Sequence, residues 1–297
     1  MSKLITTAFV SALALASGSV LAASQSEVTV DGASQKQSGA LNNQQMDVGN
    51  AKAGLLGSAK TKVNAKNLSQ TQSGALNTQK MEIGNAQGGL LGAAESNVKA
   101  DGVSQQQSGA LNAQRLAIGN AQAGLIGAAK TNVNAKNVSQ TQSGALNAQT
   151  LEVGNAKGGL LGKAETNVTV DGASQKQSGA LNAQTMAIGN AQGGLLGAAK
   201  TNVNAKNISQ TQSGALNAQK MEIGNAQGGL LGGAETNVKV DGVSQKQSGA
   251  LNAQSMRIGN AKGGLLTGAK TTVVAKNVSQ NQSGALNAQG MNLGNAE

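Results

Sequence analysis

Apolar and polar residues alternate along this chain in short bursts. Val28 and Val30 precede Asp31-Gly32, Val168 and Val170 precede Asp171-Gly172, and Met46 and Val48 precede Gly49-Asn50. A period of two that ends in Gly, Asn or Asp predicts half-buried β-strands running into turns. The segment Gly54-Leu55-Leu56-Gly57-Ser58-Ala59 has room for one turn of helix, but the recurrent glycines argue against a longer one. The predicted class is all-β.

The bursts recur with a fixed period. Ser-Gly-Ala-Leu-Asn begins at Ser38 and returns at Ser73, Ser108, Ser143, Ser178, Ser213, Ser248 and Ser283, each 35 residues after the last. Eight copies without an insertion or deletion imply that length is constrained throughout, as stacking demands and a flexible linker does not. The expected architecture is a repetitive β-solenoid, or an amyloid-like array of stacked layers, with eight 35-residue repeats. A fainter rhythm lies inside the unit. Val30-Asp31-Gly32-Ala33, Val48-Gly49-Asn50-Ala51 and Ala65-Lys66-Asn67-Leu68 share a form and are spaced by 18 and 17 residues. Each unit therefore reads either as one wide layer or as two short rungs.

Composition restricts what can fill such a structure. The chain has no Cys, Pro, Trp, Tyr or His, and its one aromatic is Phe9. Aromatics normally supply much of a core's buried area, so thin, regularly stacked layers of Ala, Val, Leu, Ile and Met are expected instead. The same polar, aromatic-free composition is also a signature of disorder, against which the periodic apolar positions weigh. Without cysteine, stability has to come from backbone pairing, stacking or assembly.

The first residues differ from the rest. Met1-Ser2-Lys3 is basic, Leu4 to Leu21 is largely apolar, and Val20-Leu21-Ala22-Ala23 supplies small residues. This three-part layout predicts a signal peptide at 1–23, followed by the repeat array at 24–297. No later window is apolar enough to cross a bilayer, so the mature chain is expected to have no transmembrane segment and to be secreted, extracellular or at the bacterial cell surface.

Adjacent units differ mainly in the sign of charge. Lys60, Glu95, Lys130, Glu165, Lys200, Glu235 and Lys270 form one series, and Asp31, Lys66, Asp101, Lys136, Asp171, Lys206, Asp241 and Lys276 form another. Equivalent positions in stacked layers lie about 4.8 Å apart, where opposite charges contribute roughly 0.2–1 kcal/mol per pair. Two rungs per unit would double that separation, so the alternation favours one layer per unit while the inner rhythm favours two. Duplication of a 70-residue pair, with the charges simply solvated, gives the same pattern.

Two amide columns also recur. Gln37, Gln72, Gln107, Gln142, Gln177, Gln212, Gln247 and Gln282 are one, and Asn42, Asn77, Asn112, Asn147, Asn182, Asn217, Asn252 and Asn287 the other. Stacked layers turn such columns into amide ladders. The spacing of Ser, Gln, Gly and Asn in Ser174 to Gln184, Ser-Gln-Lys-Gln-Ser-Gly-Ala-Leu-Asn-Ala-Gln, resembles the curlin repeats of bacterial functional amyloids. The length of the unit is similar to that of Fap-type amyloid subunits. This resemblance implies stacking roles for Gln177, Asn182 and Gln184 and their equivalents. It also implies a chain that assembles with itself, with accessory proteins for export or nucleation. Two features depart from the curlin pattern, the missing aromatics and the Gly-Leu-Leu-Gly segment.

The chemistry of catalysis is thinly represented. His and Cys, the commonest general base, thiol nucleophile and transition-metal ligands, are absent. The acids recur singly in near-identical repeats, whereas a catalytic site needs one unlike constellation. No catalytic, cofactor-binding or metal residue is assigned, and the expectation is a protein that is not an enzyme. A net charge of +10 allows nonspecific, salt-sensitive attraction to acidic polysaccharide or extracellular DNA. With two Arg, Arg115 and Arg257, and no aromatic platform, specific recognition of nucleic acid is not expected. The leading functional expectation is a subunit of an extracellular fibre or biofilm matrix. A monomeric cell-surface adhesin, or another surface-binding solenoid, is the alternative.

Overall fold

The computed structural model describes residues 23–297 except Ala40, Ala110, Ala145, Ala180, Ala215, Ala250 and Ala285. Apart from Ala23, the expected signal peptide lies outside the described residues.

Each 35-residue unit is one rung of a parallel β-solenoid. The second rung, 59–93, shows the plan: a long strand Ala59–Ser73, a middle strand Thr78–Ile83, a short strand Ala86–Gln87 and a loop back to Ala94. Equivalent strands pair in parallel with those of adjacent rungs, giving two eight-stranded sheets and one seven-stranded sheet. Lys60 pairs with Glu95, Val63 with Val98 and Gln72 with Gln107, so the register is 35 residues throughout. The two-rung alternative is thereby corrected. The residues at 17- and 18-residue spacing are the two alternating bends of a single wide rung: Asn67 bends the long strand, Gly84 follows the middle strand, and Gly102 is the long-strand bend of the next rung.

The long strand does not stop at its Asp-Gly or Lys-Asn step, as its resemblance to a turn predicts. It bends and continues. Ala59, Thr61, Val63 and Ala65 point inward, Lys66 and Asn67 are both exposed, and Leu68, Gln70 and Gln72 resume the buried positions. A one-residue slip of the alternation keeps one face inside around a corner. The corner residue has φ of 51° at Asn67 and 67° at Gly102, a left-handed conformation that Gly and Asn tolerate. Gly and Asn alternate there from rung to rung, in step with the Asp and Lys before them.

The interior is mainly apolar, with a substantial minority of buried amides. Val63, Ala65, Leu68, Met81 and Ile83 belong to one continuous apolar column set, and Ala59 and Ala86 belong to a second. At the other end of the rung, between Leu68 and Met81 along the chain, Gln70, Gln72 and Gln79 are buried as well. Small aliphatic side chains suffice because long and middle strands face each other across a narrow space, and each rung continues the packing of the last. The Gly-Leu-Leu-Gly segment is a tight loop, not helix, closed by Gly92 N–H donating to Gly89 O at 3.0 Å. Loops stack so closely that a methyl group on Gly124 would overlap the carbonyl oxygen of Gly89. Among the described residues no helix is long and apolar enough to cross a membrane.

Candidate functional site

The most ordered chemistry of the molecule is its amide columns. In the Gln72 column, Gln107 Nε2 donates to Gln72 Oε1 at 3.1 Å and to Asn77 O at 2.8 Å. Gln142, Gln177, Gln212, Gln247 and Gln282 repeat this ladder, at 3.1 to 3.3 Å along the column. The step from Gln37 to Gln72 is missing: Gln37 Oε1 and Gln72 Nε2 are buried without partners. Both acceptors lie in the preceding rung, one a side-chain amide and one a backbone carbonyl, and together they satisfy the donor side of an amide whose burial is otherwise costly.

The Asn column behaves differently from expectation. Asn112 Nδ2 donates to Gly109 O at 2.6 Å within its own turn, and Asn42 and Asn287 do the same. Asn77, Asn147, Asn182, Asn217 and Asn252 also close their own turns onto Gly74, Gly144, Gly179, Gly214 and Gly249. Along the axis, Asn42 N–H donates to Asn77 Oδ1 and Asn77 N–H to Asn112 Oδ1, both at 3.3 Å, and Asn42, Asn182 and Asn252 Nδ2 make long contacts of 3.5 Å to Ser73, Ser213 and Ser283 O; among the described residues no side-chain amide of this column donates to the next one. The physical reason is local. The neighbouring Leu76 sits at φ 58°, and the Asn side chain gives its short hydrogen bond to closing this left-handed turn instead of to the next Asn side chain.

Two further Gln columns do what the Asn column does not. Gln105 Nε2 donates to Gln70 Oε1 at 2.8 Å and across the rung to Arg115 O at 3.2 Å. Gln114 Nε2 donates to Gln79 Oε1 at 2.9 Å and to Thr141 O in the following rung at 3.3 Å. Gln184, assigned a stacking role by resemblance, belongs to this last column and donates to Gln149 Oε1 at 2.9 Å. The signal for the Gln70 column was its parity: in Leu68-Ser69-Gln70-Thr71-Gln72, both glutamines share the side of the strand that Leu68 buries. Thr61 adds a buried hydroxyl that donates to Gly84 O at 2.7 Å.

The charge series faces solvent in the expected rung-to-rung register. Lys60 reaches Glu95 and Lys200 reaches Glu235, each at 3.2 Å. Lys130 with Glu165, and Glu235 with Lys270, are paired in register, but among the described residues they are not ion pairs. The Glu95 carboxyl is held below the usual value, first by the Asn97 amide at 2.9 Å and then by Lys60 and Lys130, with burial opposing. In the second series the acid takes an amide partner. Asn67 Nδ2 donates to Asp31 Oδ1 at 2.9 Å, and Asn137, Asn207 and Asn277 donate likewise to Asp101, Asp171 and Asp241. The two series thus tie different joints, Asp–Asn within each pair of rungs and Lys–Glu at two of the three joints between pairs.

The outer rungs lack part of what the inner ones have. The long strands Ser24–Ser38 and Ala269–Ser283 each pair on one side only. Met291 and Leu293 are 38% and 39% exposed, where Met256 and Ile258 in the same columns are 0%. Along the flank, a groove of about 1630 Å³ runs past many rungs, with Asn85, Asn120, Asn155 and Asn190 among its lining. Among the described residues no three His, Cys, Asp or Glu side chains converge as a metal site would require. The chain matches no protein-family model, no curated protein and no solved structure.

Proposed function

We propose that this chain is a secreted structural subunit of an extracellular fibre or biofilm matrix, without enzymatic activity, in which copies add end to end by strand pairing. The observation that carries the reading is the pair of outer long strands, each with one unpaired edge, beside core-column members that are exposed at Met291 and Leu293 and only partly buried at Val28 and Val30. Unpaired edges of this length template further strands. The Gln ladders extend the same logic into the interior, since an arriving rung finds an amide partner already in place. Acidic polysaccharide or extracellular DNA would attach nonspecifically through the basic excess, and accessory proteins would serve export or nucleation.

Dilution of the purified chain from denaturant, followed by amyloid-dye fluorescence, electron microscopy and fibre diffraction, tests this reading. Filaments with a reflection near 4.7–4.8 Å along the fibre axis are expected. A β-rich monomer that never polymerises would sink the proposal. A second reading, a monomeric surface-binding solenoid such as an adhesin, draws on the amide-lined groove along the flank, and that outcome would favour it.

A further inference from the structure

The loop tips carry leucine where turn chemistry calls for polar residues. Leu90 and Leu91 occupy the two central positions of the turn closed between Gly89 and Gly92. Such positions ordinarily go to Asn, Asp, Ser or Gly. The stacked glycines leave no room for side chains, so the tips are where this segment is free to vary, yet aliphatic residues fill all fourteen of them, Ile126 being the one that is not Leu. These fourteen side chains are between 39% and 79% exposed.

The tips follow one another at the strand spacing of about 4.8 Å and form two adjacent aliphatic columns along one edge of seven rungs. With about half of each side chain uncovered, they present on the order of 700 Å² of apolar surface. That exceeds the largest apolar patch of a typical monomer. It also approaches the roughly 800 Å² that each partner contributes to a standard protein interface.

We propose that this edge is a lateral interface, in which the leucine columns of one molecule pack against the same columns of a second copy. The repeat of the stripe identifies its occupant. A row of teeth two side chains wide, with one constant spacing over seven rungs, is matched in every rung only by a surface of the same spacing, and the same stripe on another copy has it. Two such rows close into a dry zipper, and the bare glycines on either side of the first six pairs, with Gly264 before the seventh, allow the backbones to approach. No charged residue lies between Gly89 and Gly92 or at the equivalent positions to oppose the contact. The inference concerns the flank and not the ends of the solenoid, so it stands whether or not copies also add end to end.

The central loop of the stripe holds Leu160, which faces its own counterpart when two stripes align about their centres in either direction. The native chain has no cysteine, so Leu160→Cys supplies a single thiol. Mild oxidation of the Leu160→Cys chain is expected to give disulfide-linked dimers at least tenfold faster than oxidation of Asn134→Cys, whose thiol would sit on an exposed strand position away from the stripe. In parallel, Leu90→Ser, Leu125→Ser, Leu160→Ser and Leu195→Ser are combined in one chain. Sedimentation of the soluble protein, or mass per length of filaments if they form, should read half the mass of the unmodified chain. Circular dichroism checks that the variant folds, and the cysteine pair decides the matter if it does not.

Equal cross-linking at positions 134 and 160, or an unchanged mass in the folded serine variant, would overturn the proposal. So would a chain that sediments as a monomer yet binds phosphatidylcholine vesicles through the stripe, because the occupant would then be a membrane. Failure to form filaments would count against end-to-end growth alone, since pairing is read on the soluble chain.

Discussion

Gln140 donates one amide hydrogen to Gln105 Oε1 at 2.8 Å and the other to Thr150 O at 3.1 Å, joining two rungs and two strands through one buried group. Its own Oε1 accepts from Gln175 Nε2 at 2.8 Å. Replacing Gln140 by Leu keeps comparable volume but strands an acceptor on Gln105 and a donor on Gln175, and buried unsatisfied groups cost about 1–3 kcal/mol each. The urea midpoint of Gln140→Leu should fall by the equivalent of about 2–4 kcal/mol. Gln140→Glu should be worse at neutral pH and recover in part on acidification, because only the protonated acid can donate to Gln105. An unchanged midpoint in both variants would mean that the ladder contributes nothing net.

Two glycines with opposite tolerances separate crowding from conformation. A methyl group on Gly159 would overlap the carbonyl oxygen of Gly124, whereas at Gly172 the nearest atoms are 3.6 Å away. Gly172 has φ 77°, and the equivalent Asn137 and Asn207 in adjacent rungs hold φ of 51° and 54°. Gly159→Ala is therefore expected to disrupt the loop stack and lower the melting temperature sharply, while Gly172→Asn should stay within about 0.5 kcal/mol of the native chain, the range of a tolerated surface change. Thermal melts of the two variants side by side check this.

The sign alternation predicts that removing two rungs is gentler than removing one. Deletion of 129–163 would bring Glu95 against Glu165 and Asp101 against Asp171, whereas deletion of 129–198 restores Glu95 to Lys200 and Asp101 to Lys206. The one-rung deletion should lose more stability than the two-rung deletion at low salt, although it keeps more rungs. The gap should narrow as salt screens the like charges. Urea titrations at two ionic strengths decide it, and a gap that ignores salt would remove electrostatics as its cause.

The acidic limb of stability should carry a small contribution from Glu95. Its folded pKa is depressed, so the stabilisation is present above the unfolded value of about 4.3 and is lost as pH falls through the folded value. With the Glu95 side chain 36% exposed, screening should keep the effect below about 1 kcal/mol. Glu95→Gln should lower stability at pH 7 and flatten the decline between about pH 5 and 3. A pH series of urea midpoints for the two chains would reveal it; parallel curves would exclude it.

Much of the architecture is legible in the sequence because stacking forbids length changes, and the unbroken spacing from Ser38 to Ser283 records that constraint directly. The width of a rung is harder to read. Gly84 and Gly102 look alike locally, yet one ends a strand and the other bends a strand that goes on. Column membership is also only partly legible. Gln72 and Asn77 both recur in every unit, but Gln72 lies on a strand face that looks into the core, and Asn77 lies in a left-handed turn where a closer backbone carbonyl captures its amide. Recurrence identifies a column, while strand parity decides whether its members can meet.

The three glutamine ladders share one sense: in each, the amide nitrogen of a later rung gives its hydrogen to the oxygen of the rung before. Any plane cut across the array therefore has amide hydrogens projecting from one side and lone pairs from the other. Mutual polarisation of hydrogen bonds in a chain strengthens this sense with length. The glutamine columns together form an axial dipole with unlike poles. Two identical poles brought together would set hydrogen against hydrogen or lone pair against lone pair, so an arriving copy can extend the ladders in one orientation only.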